Sequence, residues 1–323
     1  MDRQPADGPE TPPRLTEDHA MPCLIARMCS FITACALALP GLLLPAAAHA
    51  QEMGLLHPNL SVARLAVNPL FRISPFRANY LMPLTYNFAG TDTFTTDNVK
   101  RWSHTEVTFQ LSLQSQITRG LVDGNGAFFI GYTQRSFWQA YNRSESAPFR
   151  ETNYEPELMW RWYNDQPLPG GLRNRMLTFG LVHQSNGQAG TRSRSWNRAY
   201  AELLFSAGQN TYIDFKPWWR FPEKRKSSPT DPAGDDNPDI EHYMGHFELR
   251  LYRNYDLSGL SLMLRNNLSS TDNRGAYELS YRFPLFSGMQ GYVQWFNGYG
   301  ESLIDYNRMV NRIGIGVILS DWM

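Results

Sequence analysis

The chain has 323 residues, of which 42% are hydrophobic, 19% charged and 13% aromatic, and its 30 basic residues balance 30 acidic ones. The balanced charge argues against a nucleic-acid-binding protein, which normally carries a basic excess. The negative mean hydropathy of −0.43 argues against a bundle of membrane helices. A chain of this length could form one large domain or two ordinary ones.

The first fifty residues have the composition of an export signal rather than of a folded domain. The three cysteines of the chain all lie in this region: Cys23, Cys29 and Cys35. Arg27 precedes an apolar run that ends at Ala48-His49-Ala50, and this order of basic, apolar and small residues is typical of a secretory signal peptide. Two prolines in the run weaken the alternative of a membrane anchor. We therefore predict that residues 1–50 comprise an N-terminal extension and a cleaved signal peptide, with the start at Met1 or Met21.

After residue 50 the chain consists of short segments in which apolar and polar residues alternate. In residues 106–114 the alternation is strict, which places the two kinds of side chain on opposite faces of a strand. About twelve such segments occur, at roughly 73–86, 102–116, 126–140, 153–164, 173–186, 194–206, 210–220, 240–254, 259–269, 274–283, 289–298 and 309–320. No apolar run of 18 residues follows residue 50, so we predict no membrane helix.

Alternating strands of about ten residues are typical of a transmembrane β-barrel, and the alternative is a soluble β-sandwich or barrel. An even strand count and aromatic residues near the segment ends favour the membrane barrel. Long connections also alternate with short turns: the long ones lie at about 87–101, 141–152 and 221–239, and short ones at 207–209 and 255–258. We predict an all-β fold, a twelve-stranded antiparallel transmembrane β-barrel over residues 73–323, preceded by a periplasmic segment at 51–72.

Residues 179–205 carry the most informative polar side chains. His183 and Ser185 project from one face of a strand, about 7 Å apart along the chain. If the hairpin is centred near Gly190, Asn197 of the next strand lies opposite His183, and directly opposed Cβ atoms are about 5 Å apart. A serine, an imidazole base and a side-chain amide that orients the base are the parts of a nucleophilic triad.

The parity of the residues indicates which face carries these side chains. Phe179 and Leu181 share parity with His183, and the apolar face of a membrane barrel is its outer one. The triad would therefore point at lipid near the long loops, where a lipid hydrolase could reach an ester. The alternatives are a polar rim at the membrane interface and an incidental His-x-Ser pair. The sequence HQSNG is not the G-x-S-x-G elbow, since His183 stands where that motif has glycine.

On these residues the chain resembles the outer-membrane phospholipase A family of Gram-negative bacteria. The matching stretches are YTQRSFWQ (132–139), SAPFRETNYEPEL (146–158), HQSNG…SRSWNR (183–198), FKPWW (215–219), DDNPDI (235–240) and GYGESLIDYN (298–307). The resemblance implies a twelve-stranded barrel with the triad on its exterior. It implies Ser185 as nucleophile, His183 as general base, Asn197 as the residue that orients His183, and the backbone N–H of Gly187 as oxyanion donor.

The resemblance further implies a calcium site and a homodimer. The calcium ligands would be the side chain of Ser193, the carbonyl of Gln188 and a carbonyl near Ser146 from a second copy, all oxygen donors that suit this hard cation. Gly190 stands where family members can carry aspartate. The loss of that carboxylate would weaken calcium binding or shift the ligand set. Gln134 could help to pair two barrels through the lipid, and the alternative is a glutamine that faces the lumen.

Two further polar groups are weaker candidates for a site. Asp235, Asp236 and Asp239 lack the spacing of an EF-hand loop and are predicted to belong to a solvated outer loop. Arg150, Glu151 and Glu155 are predicted to form networks inside the barrel.

The sequence as a whole predicts a calcium-dependent outer-membrane phospholipase. Its substrates would be the acyl esters of glycerophospholipids and lysophospholipids, its active site would face the outer leaflet, and no nucleic-acid partner is expected. The alternative is a passive pore or lipid-handling barrel in which HQSNG is inert.

Overall fold

The computed structural model describes residues 70–90, 102–228, 230–231, 233–286 and 288–320. The predicted N-terminal extension and signal peptide, and the predicted periplasmic segment up to residue 69, lie outside the described residues. Within the described part of the chain, no helix is long and apolar enough to cross a membrane.

Twelve antiparallel strands of the described residues form one closed sheet. They are β1 (Asn79–Asn87), β2 (Thr105–Gln116), β3 (Gly126–Trp138), β4 (Phe149–Pro167), β5 (Leu172–Ser185), β6 (Ser195–Ala207), β7 (Thr211–Arg220), β8 (Phe247–Tyr255), β9 (Ser258–Asn266), β10 (Gly275–Pro284), β11 (Gln290–Gly298) and β12 (Val310–Ser320). Each strand pairs with its neighbour in the chain, and β12 pairs with β1. The predicted twelve-stranded barrel is confirmed.

The first predicted segment is a strand with an interruption. A three-residue strand, Ile73–Pro75, pairs with β2, and β1 pairs with the same strand further along. The chain leaves the sheet at residues 76–78, where buried Phe76 turns inward. Together these two pieces correspond to the predicted segment 73–86.

One segment was assigned wrongly at its start. The prediction placed a strand at 240–254, whereas the structure has a short helix, α1 (Ile240–Met244), followed by β8 from Phe247. Ile240 and Met244 are buried and four residues apart, a spacing that fits one face of a helix as well as one face of a strand. Gly245, at φ 73°, ends the helix in the left-handed region. Alternation alone therefore could not separate the two.

Alternate side chains of the strands fill the barrel interior. In β6, for example, Trp196, Arg198 and Tyr200 are buried while the residues between them are partly exposed. This is the expected consequence of a two-residue period in a closed sheet. The fold therefore has an interior of packed aromatic and charged side chains and an exterior set of mostly apolar ones.

Several buried charges of the interior form ion pairs, which offset the cost of burying a charge in a low-dielectric environment. Arg150 Nε lies 2.6 Å from Glu106 Oε1, and Arg312 Nη1 lies 2.9 Å from Glu106 Oε2. Glu155 pairs with Arg77 at 3.0 Å. These contacts confirm the prediction that Arg150 and Glu155 belong to networks inside the barrel.

The connections are longer at one end of the barrel than at the other. Those after odd-numbered strands are 88–104, 139–148, 186–194, 221–246, 267–274 and 299–309. Those after even-numbered strands are 117–125, 168–171, 208–210, 256–257 and 285–289. Because neighbouring strands are antiparallel, each set lies at one end, and the loop that follows His183 and Ser185 is at the end with the longer connections.

Candidate functional site

Strands β5 and β6 form the hairpin that carries the predicted triad. Their register pairs His183 with Asn197 and Ser185 with Ser195, as the hairpin centred near Gly190 predicts. All of these residues lie within three residues of the strand ends that the connection 186–194 joins. The sequence therefore predicted the opposition of the imidazole and the amide correctly.

The outward face of this hairpin holds the predicted triad. On β5, Phe179 and Leu181 are about half exposed, while Val182 between Leu181 and His183 is buried. His183 is exposed and Ser185 is partly exposed. The catalytic candidates thus share a face with exposed apolar side chains, as the parity of the sequence predicts.

The strongest contact in this group joins the imidazole to the amide. His183 Nδ1 lies 2.8 Å from Asn197 Oδ1. Because an amide oxygen only accepts, Nδ1 donates in this hydrogen bond, and in a neutral imidazole of this tautomer Nε2 is the acceptor. Within the described residues Ser185 Oγ makes no hydrogen bond, and catalytic hydrogen bonds are commonly loose before substrate binds.

A buried asparagine shapes the connection 186–194. Asn186 Oδ1 accepts from the backbone N–H groups of Gln188 at 3.2 Å and Arg194 at 3.0 Å. Its Nδ2 donates to the carbonyl of Arg192 at 2.9 Å. Sequence reasoning did not single out Asn186, although asparagine is a common residue for such backbone-linked turns.

Gly187 follows directly and has φ 64°, in the region that favours glycine. A Cβ atom on Gly187 would also lie 3.2 Å from Cε2 of Tyr154. The register of β4 and β5 pairs Tyr154 with Ser185, so this ring lies beside both the nucleophile candidate and the predicted oxyanion donor. Tyr154 is a second site residue that the sequence analysis missed.

The predicted calcium residues are only partly brought together. Gln188 and Ser193 lie in the same connection, whereas Ser146 lies in another, 139–148, where it is exposed and has φ 58°. No group of three or more His, Cys, Asp and Glu side chains within the described residues could hold a metal ion. A cation site here would therefore depend on hydroxyl and carbonyl oxygens with few carboxylates.

The connection 221–246 brings a carboxylate to this hairpin. Ser193 Oγ donates to Asp236 Oδ2 at 2.7 Å, and Ser195 Oγ donates to the same oxygen at 3.2 Å. The ammonium group of Lys226 pairs with the other oxygen, Oδ1. The prediction of a solvated outer loop was wrong for Asp235 and Asp236, whose side chains are largely buried, whereas Asp239 is exposed as predicted.

The other two aspartates of this acidic cluster, Asp235 and Asp239, also bind side chains of other elements. Asp235 Oδ1 lies 2.6 Å from Arg220 Nη2, and Asp239 accepts a hydrogen bond from Tyr306. Burial and the Asp239 carboxylate raise the pKa of Tyr306 above its usual range, so the phenol stays protonated and donates. These contacts fix the connection 221–246 above the barrel.

The same connection contacts the triad itself through Asn197. The backbone N–H of Phe221 donates to the carbonyl of Asn197 at 2.9 Å. Asn197 Nδ2 donates to Glu223 Oε1 at 3.1 Å. No sequence pattern indicated Glu223, because its approach to Asn197 depends on how the long connection folds back.

Gln134 lies on the outward face, so the alternative of a lumen-facing glutamine was wrong. It shares parity with exposed Ile130, accepts a hydrogen bond from Tyr132 Oη at 3.1 Å and donates to Ser136 Oγ at 3.2 Å. The register pairs Gln134 with Tyr154, which in turn pairs with Ser185. Gln134 is therefore two strands from the nucleophile candidate along one row of the sheet.

Comparison with known proteins relates the chain to phospholipases. The family model of phospholipase A1 matches residues 56–319. Phospholipase A1 of Salmonella typhimurium is 36% identical over 297 residues, covering 88% of this chain and 96% of the relative. Phospholipase A1 of Escherichia coli is 35% identical over 294 residues, with the same coverage of 88% and 96%.

Two solved structures resemble the barrel over most of its length. Outer membrane phospholipase A from Escherichia coli matches with a TM-score of 0.69 and 34% identity, covering 82% of this chain and 99% of that one. The outer membrane phospholipase of Salmonella typhi, a dimer with bound calcium, matches with a TM-score of 0.70 and 34% identity, covering 83% of this chain and 100% of that one.

Proposed function

Because the chain belongs to the phospholipase A1 family, we propose that it cleaves acyl esters of membrane phospholipids with a Ser185–His183–Asn197 triad and calcium. The protein is a phospholipase-type ester hydrolase with an outer-membrane β-barrel fold. The observation that carries the residue assignment is the 2.8 Å hydrogen bond between His183 Nδ1 and Asn197 Oδ1 on the outward face. We further propose glycerophospholipids and lysophospholipids as substrates.

The proposed first half of the reaction begins at the Ser185 hydroxyl. Its proton passes to His183 Nε2 as Oγ forms a bond with the acyl carbonyl carbon, which gives a tetrahedral intermediate and an imidazolium. Asn197 Oδ1 stabilises the imidazolium through the Nδ1–H bond. The backbone N–H of Gly187 faces the developing oxyanion. Breakage of the ester C–O bond then releases the lysophospholipid, which takes the proton from His183.

The second half returns the enzyme to its starting state. Water attacks the acyl-serine carbonyl and gives a proton to His183 Nε2. The second tetrahedral intermediate releases the fatty acid, and Ser185 Oγ recovers the proton from His183. No net proton or electron is lost, and His183 acts as base and then as acid in each half.

The position of the triad supports a substrate in the membrane. Phe179 and Leu181 are exposed on the same face, and the apolar exterior of a membrane barrel contacts lipid. Long loops of such barrels are extracellular, and the triad lies at the end with the longer connections. We therefore propose that the active site faces the outer leaflet, where a headgroup ester would lie beside Ser185.

The residues around Ser193 fit a calcium ion. Ser193 Oγ, the Gln188 carbonyl and the Asp236 carboxylate are hard oxygen donors of the kind that calcium takes, and Asp236 lies 2.7 Å from Ser193. Asp236 thereby supplies a carboxylate where Gly190 lacks one. When bound, calcium would supply positive charge that favours an oxyanion near Gly187. The Salmonella typhi relative, which is 34% identical, carries bound calcium.

We also propose that two copies act together. The Salmonella typhi relative is a dimer. In this chain, Gln134 places a polar group on the lipid-facing side, two strands from Ser185. A second copy packed on this surface would complete a groove for the acyl chain, and the carbonyl of Ser146, an exposed residue, would join the calcium ligands from that copy.

The mature chain is proposed to begin after residue 50 and to enter the barrel at residue 73 after a periplasmic segment, which N-terminal sequencing of purified protein would test.

The test compares wild type with Ser185→Ala, each refolded in detergent and assayed on phospholipid vesicles or micelles with calcium or with EDTA. We expect wild type to release fatty acid only with calcium, and Ser185→Ala to lose activity by at least about a thousand-fold, as nucleophile removal does in triad enzymes. Equal cleavage by both proteins would contradict the triad and favour an inert HQSNG segment. Full wild-type activity in EDTA would contradict only the calcium assignment.

A further inference from the structure

We propose that Glu223 is a positioning residue that fixes the tautomer of His183 by holding the amide of Asn197 in one orientation. The inference rests on the proposed triad and adds a residue to it. Glu223 lies in the connection 221–246, far from the triad in sequence, and touches neither Ser185 nor His183 through any hydrogen bond of the described residues. Its effect on the reaction would pass through Asn197.

The loop that carries Glu223 is anchored at Asn197. The backbone N–H of Phe221 donates to the Asn197 carbonyl at 2.9 Å, which extends the pairing of β6 and β7 by one bond. Two residues later, Glu223 Oε1 accepts from Asn197 Nδ2 at 3.1 Å. The Asn197 amide is therefore bound on both sides, by the carboxylate at its nitrogen and by His183 at its oxygen.

The chemistry of the two contacts makes them dependent on each other. A carboxylate only accepts hydrogen bonds, so Glu223 must face the NH₂ end of the amide. The oxygen of Asn197 then faces His183, and Nδ1 must donate. Nε2 is left as the acceptor that a general base requires. If the amide were reversed, its NH₂ group would face Nδ1, the proton would move to Nε2, and His183 could not accept the Ser185 proton.

The charges around Glu223 do not offer it another partner. Lys226 of the same connection pairs with Asp236, and Arg220 at its start pairs with Asp235. Lys224 is exposed and forms no side-chain ion pair within the described residues. In the part of the chain that the structure describes, the side chain of Glu223 contacts only Asn197 by hydrogen bond, so a separate structural task for this carboxylate is not evident.

Three substitutions of Glu223 test whether its role as a hydrogen-bond acceptor matters: one keeps an acceptor, one removes it and one replaces it with a donor. Glu223→Gln keeps an acceptor oxygen, and we expect kcat to fall by no more than about three-fold. Glu223→Ala removes the acceptor, and we expect kcat to fall by about ten-fold or more, the usual effect of losing a hydrogen bond to a charged group. Glu223→Lys presents a donor that favours the reversed amide, and we expect it to be less active than Glu223→Ala. KM for phospholipid should stay unchanged in all three.

The matched control is Asp231→Lys, which makes the same change of charge on the same connection. Asp231 binds Ser227 and the backbone N–H of Ala233, and we expect wild-type activity from this variant. Glu223→Ala in an Asn197→Ala background should cause no further loss, since Glu223 acts through Asn197. If Glu223→Ala lowered the activity of Asn197→Ala by the same factor by which it lowers that of wild type, the inference would be overturned. Equal activities of Glu223→Ala, Glu223→Gln and Glu223→Lys would also overturn it.

A measurement without turnover reports the tautomer directly. In protein labelled with ¹⁵N-histidine and held in detergent micelles, the His183 signal, assigned by its absence in His183→Gln, should show a protonated Nδ1 in wild type. In Glu223→Lys it should shift toward a protonated Nε2, and an unchanged tautomer would overturn the inference. If Ser185→Ala retains activity, the proposed function fails. If Ser185→Ala is inactive and Asn197→Ala has reduced but measurable activity, while Glu223→Lys equals wild type, only the role of Glu223 fails.

Discussion

At the scale of single residues, the site divides into contacts that strand geometry dictates and contacts that loop folding dictates. His183 and Asn197 oppose each other because a hairpin centred near Gly190 fixes the register of β5 and β6. That pairing could be predicted from the sequence. Glu223 and Asp236 reach the same hairpin from a long connection. No local pattern specifies where such a connection folds back, so the sequence could not identify them.

Through its side chain, Asn186 makes three hydrogen bonds within the connection 186–194, which follows the proposed nucleophile Ser185. Replacing Asn186 with alanine would leave the N–H groups of Gln188 and Arg194 without their acceptor, and lost partners of this kind cost about 1–3 kcal/mol. We expect Asn186→Ala to keep the barrel folded but to lower both calcium affinity and kcat, because Gln188 and the Gly187 N–H lose their fixed positions. Urea unfolding in micelles and calcium-dependent assays measure the two effects.

The control for this prediction is Asn273→Ala. Asn273 is an exposed asparagine in the connection 267–274 that contacts Asn266 and the Ser269 carbonyl. We expect this variant to retain wild-type activity and calcium response. If Asn186→Ala behaved in the same way as Asn273→Ala, Asn186 would not organise the connection 186–194.

At the scale of elements, alternation predicted nearly all the strands and failed where another period fits the same residues. β2 to β7 start and end within a few residues of the predicted segments, with β4 extending further at both ends. The helix α1 was mistaken for strand because Ile240 and Met244 satisfy both periods. The tertiary position of α1, packed over the end of the barrel, decides between them.

In the connection 221–246, the ammonium group of Lys226 would compete with calcium for the carboxylate of Asp236, a proposed calcium ligand. Lys226 pairs with Asp236 on the oxygen that does not contact Ser193. We expect Lys226→Met to tighten calcium binding by several-fold, because one carboxylate cannot serve an ammonium and a divalent cation equally well. We expect Asp236→Asn to weaken it by about ten-fold, since a charged ligand is lost. Calorimetric titration of calcium into the folded protein measures both.

Asp231→Asn is the control, since Asp231 lies in the same connection without contact to Ser193 in the described residues. Its calcium affinity should equal that of wild type. Equal affinities of Lys226→Met, Asp236→Asn and wild type would exclude Asp236 from the calcium ligands and leave the hydroxyl and carbonyl oxygens as the proposed set.

At the scale of the whole molecule, closure of the sheet determines how the outer surface is used. A closed barrel leaves no strand edge, so at the level of the strands a second copy would associate through outward side chains. Most of these are apolar, and Gln134, Ser136 and Thr152 form an outward polar cluster in which Ser136 binds both of the others. The sequence could predict that Gln134 lies in a strand, whereas its face required the register of β3 with β4.

The dimer proposal predicts that this polar cluster stabilises the pair of barrels. A polar side chain toward lipid gains most when it meets a partner from another chain, since lipid offers none. We expect Gln134→Leu to lower the cross-linked dimer fraction in micelles with calcium and to lower activity in parallel. Ile130→Leu, an outward apolar change on the same strand, should leave both unchanged. Since Gln134 is two strands from Ser185, or roughly 10 Å across the sheet, a loss of dimer with full activity would show that one barrel alone forms the working acyl-chain site.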